Sequence, residues 1–283
     1  MDNNTPESSC KKDNCRAYLW NYLLKGRADF IDESQKFLRF VVELAWAFVI
    51  AMIIRSFLLQ PFIVPTGSMI PTILVGDFLF ANKTAHGYTK YSFPLQMIPF
   101  EGRIMAEDPK VGDVIVFHNP LDDGKDYVKR CVARSGDRVQ MKGGILHING
   151  KPLPVKFVRE FASSDHYGRV MMVKEYIETL PNGVEHPIYK IYPFDAPHYP
   201  SEKAKEYNNT QEFVVPEGHS FGMGDNRDNS VDSREPMQVG FVPDHNLIGK
   251  AVFRWMSIED ARWWAVWEWP WTIRYSRIGT FVK

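Results

Sequence analysis

Residues 37–72 read FLRFVVELAWAFVIAMIIRSFLLQPFIVPTGSMIPT, and this stretch joins two segments of different character. Its first part, residues 37–59, is apolar apart from two arginines, one glutamate and one serine. A helix of about 20 residues crosses the hydrocarbon core of a bilayer, and long cationic side chains such as Arg39 and Arg55 reach the headgroups from near its ends. The stretch therefore predicts one transmembrane α-helix over residues 37–59.

Two other interpretations of this apolar stretch stay open. Its moderate length, and Glu43 about one turn inside its first end, leave room for a buried amphipathic helix of a soluble protein. A cleaved signal peptide fits less well, because the stretch starts late and no small-x-small site follows before Gln60. The membrane anchor is the favoured interpretation.

Basic residues are more numerous before the span than after it, where only Arg55 precedes Lys83. Flanks rich in Lys and Arg stay in the cytoplasm. Residues 1–36 are therefore predicted to be a cytoplasmic tail, disordered at its start, and the chain after residue 59 to lie outside the cytoplasm. The basic residues of the first flank are Lys25, Arg27, Lys36 and Arg39.

The chain after the span changes to short runs of β-forming residues bounded by turns. The pair Asn149-Gly150 between two such runs is a strong hairpin signal. Residues 154–212 instead mix Pro, Tyr, His and charged residues without a clear period. The pattern predicts a mainly β domain over residues 60–153 and 213–283, a closed or coiled barrel, with 154–212 as an insertion or second lobe. The runs lie at residues 111–120, 126–141, 144–153, 212–224 and 239–253.

Composition excludes several classes of function. The 34 basic residues balance 34 acidic ones, so nothing indicates a nucleic-acid partner. Cys10 and Cys15 form a weak Cys-x4-Cys pattern, Cys131 stands alone in an apolar run, and the eight histidines show no His-x-x-x-His spacing. We therefore expect no metal and no cofactor, and the oligomeric state stays open.

Pro65 and Pro71 flank a Thr-Gly-Ser turn soon after the span. Proline restricts the backbone and glycine frees it, so this turn is held in one conformation that displays Ser68. A serine hydroxyl needs an adjacent base to act as a nucleophile. Taken alone, a serine in such a turn is most often only a turn residue.

Lys129 lies inside a strand-like run, Tyr127-Val-Lys-Arg-Cys-Val, in which alternation turns Lys129 and Arg130 to opposite faces. One of these two cations is therefore expected to face inward. Burial lowers the pKa of a lysine, and a neutral lysine is a competent general base. The alternative is a lysine that reaches solvent from an edge strand.

A third segment, residues 222–234, reads GMGDNRDNSVDSR. Its Gly, Asn, Asp and Ser residues predict a tight loop with internal hydrogen bonds. It is not an EF-hand loop, because no glycine occupies the sixth position and no glutamate the twelfth.

In this order after a membrane span, the three segments resemble the motifs of type I signal peptidases. Residues 65–72 resemble the nucleophile motif, residues 127–130 the general-base motif and residues 224–234 the third signature of that family. The resemblance extends over about residues 40–255. It implies a mostly β protease domain with a coiled barrel, facing away from the cytoplasm. It also implies cleavage of signal peptides from exported pre-proteins after small residues, with Ala-x-Ala the preferred ending.

The same resemblance implies roles for individual residues. Ser68 is the expected nucleophile and Lys129 its general base. The backbone N–H of Ser68 and the hydroxyl of Thr66, where many relatives have Ser, are expected to hold the oxyanion. The other expected roles are orientation of Lys129 by Ser230, support from behind by an ion pair of Asp232 and Arg234, and walls of small P1 and P3 pockets from Val64 and Val128.

Two features qualify this picture. Alternation places Val128 opposite Lys129, so both line one site only at a strand edge or twist. Six of the eight tryptophans lie between Trp255 and Trp271. A segment rich in Trp and Arg is typical of a membrane interface, with ordinary packing against the barrel as the alternative; Trp255 itself is expected in the core.

Two other functions stay open. An autoproteolytic repressor-type protease shares the Ser-Lys dyad, but it would carry a DNA-binding helix pair where this chain has a membrane span. A membrane-tethered β domain with a dead site would bind partners, although intact Ser68, Lys129 and Ser230 argue against it. Many relatives have two spans where this chain has one. The expected location is the bacterial cytoplasmic membrane, single-pass, with a mitochondrial inner-membrane relative as the alternative.

Overall fold

A computed structural model describes residues 12–93, 102–119, 121–122, 125–164, 170–259 and 264–282, without the side chains of residues 12–34 and 164. The disorder expected at the start of the chain, Cys10 and Trp263 lie outside this description. The chain forms two units, Met1–Ile53 and Ile54–Lys283.

The first unit is helical. Helix α1 (Lys12–Phe57) contains a segment, Gln35–Phe57, of 23 residues with a mean hydropathy of 2.2, long and apolar enough to cross a membrane. None of its most apolar window is buried, unlike the core helix of a soluble protein. The helix starts well before residue 37, because residues 12–36 contain one glycine and no proline that would stop it.

The second unit is mainly β, with two short helices among its strands. The strands and helices are β1 (Leu59–Ile63), β2 (Asp77–Asn82), β3 (Val114–His118), β4 (Asp126–Arg134), β5 (Arg138–Lys142), β6 (Ile145–Ile148), β7 (Lys151–Pro152), β8 (Val155–Ser164), β9 (Val170–Thr179), β10 (Glu185–Lys190), α2 (Glu202–Asn208), β11 (Phe213–Val214), β12 (His219–Met223), β13 (Val242–Pro243), β14 (Leu247–Ser257), α3 (Trp269–Thr272) and β15 (Thr280–Phe281).

The largest sheet has eight strands in the order β1-β2-β14-β3-β4-β12-β13, with β15 paired to β14. Bulges shift the register of β14 against β2 and β3 and that of β12 against β4. A bulge bends a strand and increases its twist, so the sheet curls. The mainly β, coiled architecture predicted from the sequence is confirmed. A four-stranded sheet, β11-β5-β6-β7, and a three-stranded sheet, β10-β9-β8, complete the unit.

One core cluster anchors the segment that carries Ser68. Met69 and Ile73, just after the serine, are buried with Leu79 and Val116 of β2 and β3. Full burial of an aliphatic side chain stabilises the fold by roughly 1.5–3 kcal/mol. The turn is therefore attached to the sheet by its own apolar residues.

Residues 154–212 form the three-stranded sheet β8–β10 and helix α2. No period was visible there, because a bulge between Phe157 and Arg159 interrupts the alternation of β8, and Phe157 and Val158 are both exposed. On β10 the alternation is regular, and His186, Ile188 and Lys190 share a buried face. This buried face carries two titratable side chains.

The tryptophan-rich end is largely exposed. Trp255 is 36% exposed and packs its ring over Phe78 and Phe80, so its expected place in the core was wrong. A strand residue of β14 can cover neighbouring aromatic rings from outside without entering the core. Trp264 and Trp271 are more exposed still.

Candidate active site

The turn after β1 delivers Ser68. The Val64 N–H donates to the Asp77 carbonyl at 3.0 Å, and the Gly76 N–H donates to the Val64 carbonyl at 2.9 Å. These bonds close the base of the turn, while Ser68 at its top is half-buried and lines a cleft. The serine is therefore displayed on a fixed backbone.

Lys129 on β4 meets this serine. Its Nζ lies 2.7 Å from Ser68 Oγ, and the residue is 2% exposed. Burial, aided by the charge of Arg234, lowers the pKa of Lys129 to about 8, although Asp232 and Asp225 act in the opposite direction. A substantial neutral fraction near neutral pH makes this amine a proton acceptor for the serine hydroxyl.

Arg130, the next residue, is also buried, so the expectation that only one of the two cations faces inward was wrong. β4 is covered on both faces, and Arg130 forms a two-pronged pair with Asp225, Nε to Oδ1 at 2.9 Å and Nη2 to Oδ2 at 2.8 Å. The Thr72 hydroxyl donates to the same carboxylate at 2.5 Å. Burial alone would raise the pKa of Asp225, but Arg130 and His186 hold it well below its usual range.

The Asp232–Arg234 pair lies behind the dyad. Arg234 donates to Asp232 through Nε and Nη2, each at 2.8 Å, and the Gly224 N–H donates to the same carboxylate at 3.0 Å. Both side chains are buried. Burial would raise the pKa of Asp232, but Arg234 and Lys129 lower it, so the carboxylate stays ionised next to the lysine.

Ser230 is buried but does not bond to Lys129. Its Oγ makes no hydrogen bond with any group in the described part of the chain, so the expected orienting contact is not formed in this structure. The hydroxyl lies against Gly224, where a Cβ would come within 2.1 Å of Ser230 Oγ and 2.5 Å of the Ser68 carbonyl oxygen. Glycine is required at position 224 by this close approach.

The cleft beside the dyad has a volume of about 480 Å³. Thr66 and Ser68 line it together with Val64, and so do all residues from 125 to 129. Because the cleft borders the start of β4, Val128 and Lys129 both reach it although they alternate along the strand. The wall is mostly apolar, as is typical of ligand-binding clefts.

Three residues of this region, one half-buried and two buried, were missed by the sequence interpretation. Asn226 bonds to the backbone of the Ser68 turn, and Glu178 and His186 reach the third-signature loop from β9 and β10. Asn226 stood in a segment already recognised, so its position was a usable signal. Glu178 and His186 lie in the stretch without period and gave none.

No cluster of three or more His, Cys, Asp or Glu residues in the described part of the chain could hold a metal ion. Cys131 is fully buried, and burial raises the pKa of its thiol to about 12, so it is unreactive.

A comparison with protein-family models matches residues 37–256 to the family described as signal peptidase, peptidase S26. The chain belongs to this family. It is therefore a peptidase, and its apolar N-terminal helix is consistent with membrane anchoring. The matched region contains Ser68, Lys129 and the third-signature loop.

Curated relatives of this S26 peptidase carry the name signal peptidase I. The relative from Rickettsia canadensis is 42% identical over 224 residues, covering 78% of this chain and 80% of its own length. Those from Rickettsia typhi and Rickettsia akari are 41% identical over 217 residues and 40% over 222, covering 76% and 78% of this chain and 78% and 79% of theirs. A crystal structure of a signal peptidase I from Enterococcus faecalis is 23% identical, with a TM-score of 0.28, covering 51% of this chain and 97% of that one.

Proposed function

We propose that this protein is a membrane-bound endopeptidase that removes signal peptides from exported pre-proteins, cutting after small residues at Ala-x-Ala endings. The observation that carries the proposal is the 2.7 Å separation of Lys129 Nζ and Ser68 Oγ, with the lysine 2% exposed. A lysine in that environment, at that distance, has the protonation state and the reach of a general base.

The proposed reaction passes through an acyl-enzyme. Ser68 Oγ attacks the scissile carbonyl while Lys129 takes the hydroxyl proton, and the oxyanion is held by the Ser68 N–H and the Thr66 hydroxyl. Lys129 then returns the proton to the leaving amine. Lys129 next takes a proton from water as the water oxygen attacks the ester carbonyl. The ester C–Oγ bond then breaks, and Lys129 gives that proton to Ser68 Oγ, which restores both side chains. Asp232 and Arg234 keep an ionised, paired wall behind the lysine throughout.

The proposed specificity comes from the apolar cleft. Val64 is buried and Val128 half-buried where they line it, which leaves shallow space beside Ser68. Branched side chains at these positions favour alanine over a larger residue at P1 and P3. In a valine-walled pocket one methylene alters binding by about 1–3 kcal/mol, so a large P1 residue is rejected strongly.

The proposed location is the bacterial cytoplasmic membrane, with the helix segment Gln35–Phe57 as a single anchor and the β unit on the periplasmic side. Support comes from the exposed apolar surface of that segment and from the bacterial sources of the relatives. The bilayer holds the enzyme at the surface where pre-proteins emerge, and those pre-proteins are its proposed partners.

The test is cleavage of a peptide ending in Ala-x-Ala by the purified full chain. We expect Ser68→Ala and Lys129→Ala each to lose at least about a thousandfold in kcat/KM while keeping the wild-type circular dichroism spectrum, because nucleophile and base act in one step. The double variant should be no slower than either single variant. A further thousandfold loss in the double variant, or equal cleavage of a peptide with Trp at P1, would contradict the proposal.

A further inference from the structure

The peptide unit between Gly67 and Ser68 is held from one side by the third-signature loop. Asn226 Nδ2 donates to the Gly67 carbonyl oxygen at 3.0 Å, and the backbone N–H of Asn226 donates to the Ser68 carbonyl at 3.0 Å. The Ile70 N–H donates to the same Gly67 oxygen at 3.2 Å. Asn226 therefore donates hydrogen bonds to the carbonyl groups on both sides of the Ser68 Cα.

A trans peptide unit is planar, with its C=O and N–H pointing in opposite directions. The Gly67 carbonyl and the Ser68 N–H belong to one such unit, so fixing the carbonyl also aims the N–H. Within the described residues the Ser68 N–H donates to no protein acceptor, and Ser68 lines the cleft. The N–H is thus left for an oxygen that arrives from outside the chain.

We propose that Asn226 is a positioning residue that aims the Ser68 N–H at the oxyanion of the reaction. The inference rests on the proposed function, in which this N–H stabilises the tetrahedral intermediate. The amide group suits the task because only its NH₂ end can face the Gly67 oxygen; a carboxylate in the same place would set two acceptors against each other.

Asn226 is itself held firmly. The Tyr189 N–H donates to the Asp225 carbonyl at 2.9 Å, and the Arg227 N–H donates to the Tyr189 carbonyl at 3.0 Å, so β10 fixes the backbone on both sides of Asn226. The Asp225 side chain is in addition locked by Arg130. The asparagine amide is consequently presented from a rigid loop, as a positioning group requires.

The experiment compares wild type, Asn226→Ala and Asn226→Asp with the matched control Asn182→Asp. Asn182 Nδ2 also donates to a backbone carbonyl, that of Val111 at 2.6 Å, but from an exposed turn outside the site. Kinetics on the Ala-x-Ala peptide are combined with inhibition by two probes of equal length, a peptide aldehyde and its reduced alcohol. With the aldehyde, Ser68 Oγ bonds to the carbonyl carbon, the carbonyl electron pair moves to oxygen and the hydroxyl proton passes to Lys129.

Removing an oxyanion-hole donor lowers kcat by about a hundred- to a thousandfold. A donor that is kept but points away from the oxyanion should lower kcat less, by about ten- to a hundredfold. We expect kcat to fall by that factor in Asn226→Ala and further in Asn226→Asp, with KM within about threefold. The affinity for the aldehyde should fall by a similar factor, while the affinity for the alcohol should fall by less than about twofold. Asn182→Asp should match wild type in kcat, in KM and in its affinity for each of the two inhibitors.

Two results would overturn the inference and are distinguishable from a failure of the proposed function. If wild type cleaves in a Ser68-dependent manner and Asn226→Ala keeps kcat within about twofold, Asn226 does not aim the N–H. If the affinities for the aldehyde and the alcohol fall equally in the variants, Asn226 has only a structural role. A wild-type chain without Ser68-dependent cleavage would overturn both proposals together, whereas the expected pattern in Asn226→Asp alone supports the inference if Asn226→Ala does not fold.

Discussion

Burial of Lys129 sets the pH at which the dyad works. A lysine has an ordinary pKa of 10.5, and loss of water around Nζ lowers the pKa of this one to about 8. In the proposed reaction the neutral amine accepts the Ser68 proton, and the fraction of this neutral form falls about tenfold for each pH unit below that value. The side chain therefore combines a base strong enough for serine with a useful neutral population.

We expect kcat/KM of the wild type to rise about tenfold per pH unit up to about pH 8 and to level off above it, because deprotonation of Lys129 (pKa about 8) in the free enzyme limits the reaction. Lys129→Arg should be inactive at every pH, since its guanidinium keeps its proton. The measurement is a kcat/KM profile from about pH 6 to 10 on the Ala-x-Ala peptide. A flat profile would exclude lysine as the titrating base.

The same burial makes the dyad costly for stability. The folded pKa of Lys129, about 8, lies below its unfolded value of 10.5, so between these pH values the unfolded chain binds the extra proton and stability rises with pH. Below about pH 8 the wild type is destabilised by roughly 3 kcal/mol relative to a chain without this charge. Lys129→Met should therefore unfold at a higher temperature than wild type at pH 7, and this difference in unfolding temperature should shrink by pH 10.

The control is Lys151→Met at an exposed position, which should unfold at the same temperature as wild type. A Lys129→Met variant no more stable than wild type at pH 7 would contradict the account.

The surroundings of a single residue were predictable where a sequence motif indicates its partner. They were not predictable where only the fold brings the partner close. Ser68 and Lys129 were predicted as partners from the resemblance of their segments to signal peptidase motifs, and their side chains lie 2.7 Å apart. The burial of Arg130 was missed, because strand alternation says which face a residue takes and not whether that face is covered. Ser230 was expected to contact Lys129, but that contact depends on the path of a loop, which spacing along the chain does not define.

At the scale of elements, the third-signature loop is fixed by the hairpins of residues 154–212. Arg227 from the loop pairs with Glu178 of β9, its Nη1 donating to Oε1 at 2.9 Å, and His186 of β10 lies 3.2 Å from Glu178 and 3.3 Å from Asp225. Lys190 of β10 pairs with Asp228 of the same loop, with Nζ 3.1 Å from Oδ1. Residues 154–212 thus form the back of the third-signature loop.

Glu178→Gln should destabilise the protein by about 3–5 kcal/mol, since it leaves Arg227 and His186 buried without their carboxylate. Burial would raise the pKa of Glu178, but Arg227 and His186 lower it from 4.5 to about 2. This stability is therefore present above pH 4.5 and is lost as the pH falls through about 2. Thermal unfolding at pH 7 measures the effect.

The matched control is Glu175→Gln on the same strand. Glu175 pairs with Arg159 at 2.6 Å, but the arginine side chain is 62% exposed, and pairs of this kind contribute little. We expect its unfolding temperature to match wild type. Equal effects of the two substitutions would show that the Glu178 cluster does not hold the loop.

Elements were predictable where they bury one regular face. β3, β4, β6, β12 and β13 fall inside the predicted runs of β-forming residues, β5 and β14 extend beyond the ends of theirs, and the Asn149-Gly150 turn joins β6 to β7. β8 and β9 were not foreseen, since a bulge and exposed apolar residues hide their period. Charged residues such as Glu178 and Lys190 are buried in ion pairs whose partners are far along the chain, so the local sequence resembles a surface loop.

The whole molecule divides into an apolar helix and a β unit with the proposed catalytic groups, and function depends on which side of the membrane each end takes. Charge is balanced overall, yet the basic residues of the helical unit cluster before its apolar segment. That asymmetry is the sole basis for the predicted orientation, because acidic residues in the same flank contribute little. Membrane sidedness is thus a property that the sequence indicates and a single-chain structure does not contain.

A membrane-impermeant maleimide applied to intact spheroplasts should label Asn182→Cys and leave the native cysteines unlabelled. Residue 182 lies in an exposed turn of the β unit, so its thiol is accessible wherever that unit faces the reagent. Cys131 gives no background, because it is fully buried and its thiol pKa is raised to about 12. Cys10 and Cys15 precede the apolar segment and should react only after the membrane is permeabilised. Labelling of the wild-type chain in intact spheroplasts, with Asn182→Cys no more reactive than wild type, would reverse the orientation and place the proposed catalytic cleft in the cytoplasm, where no exported pre-protein could be processed after translocation.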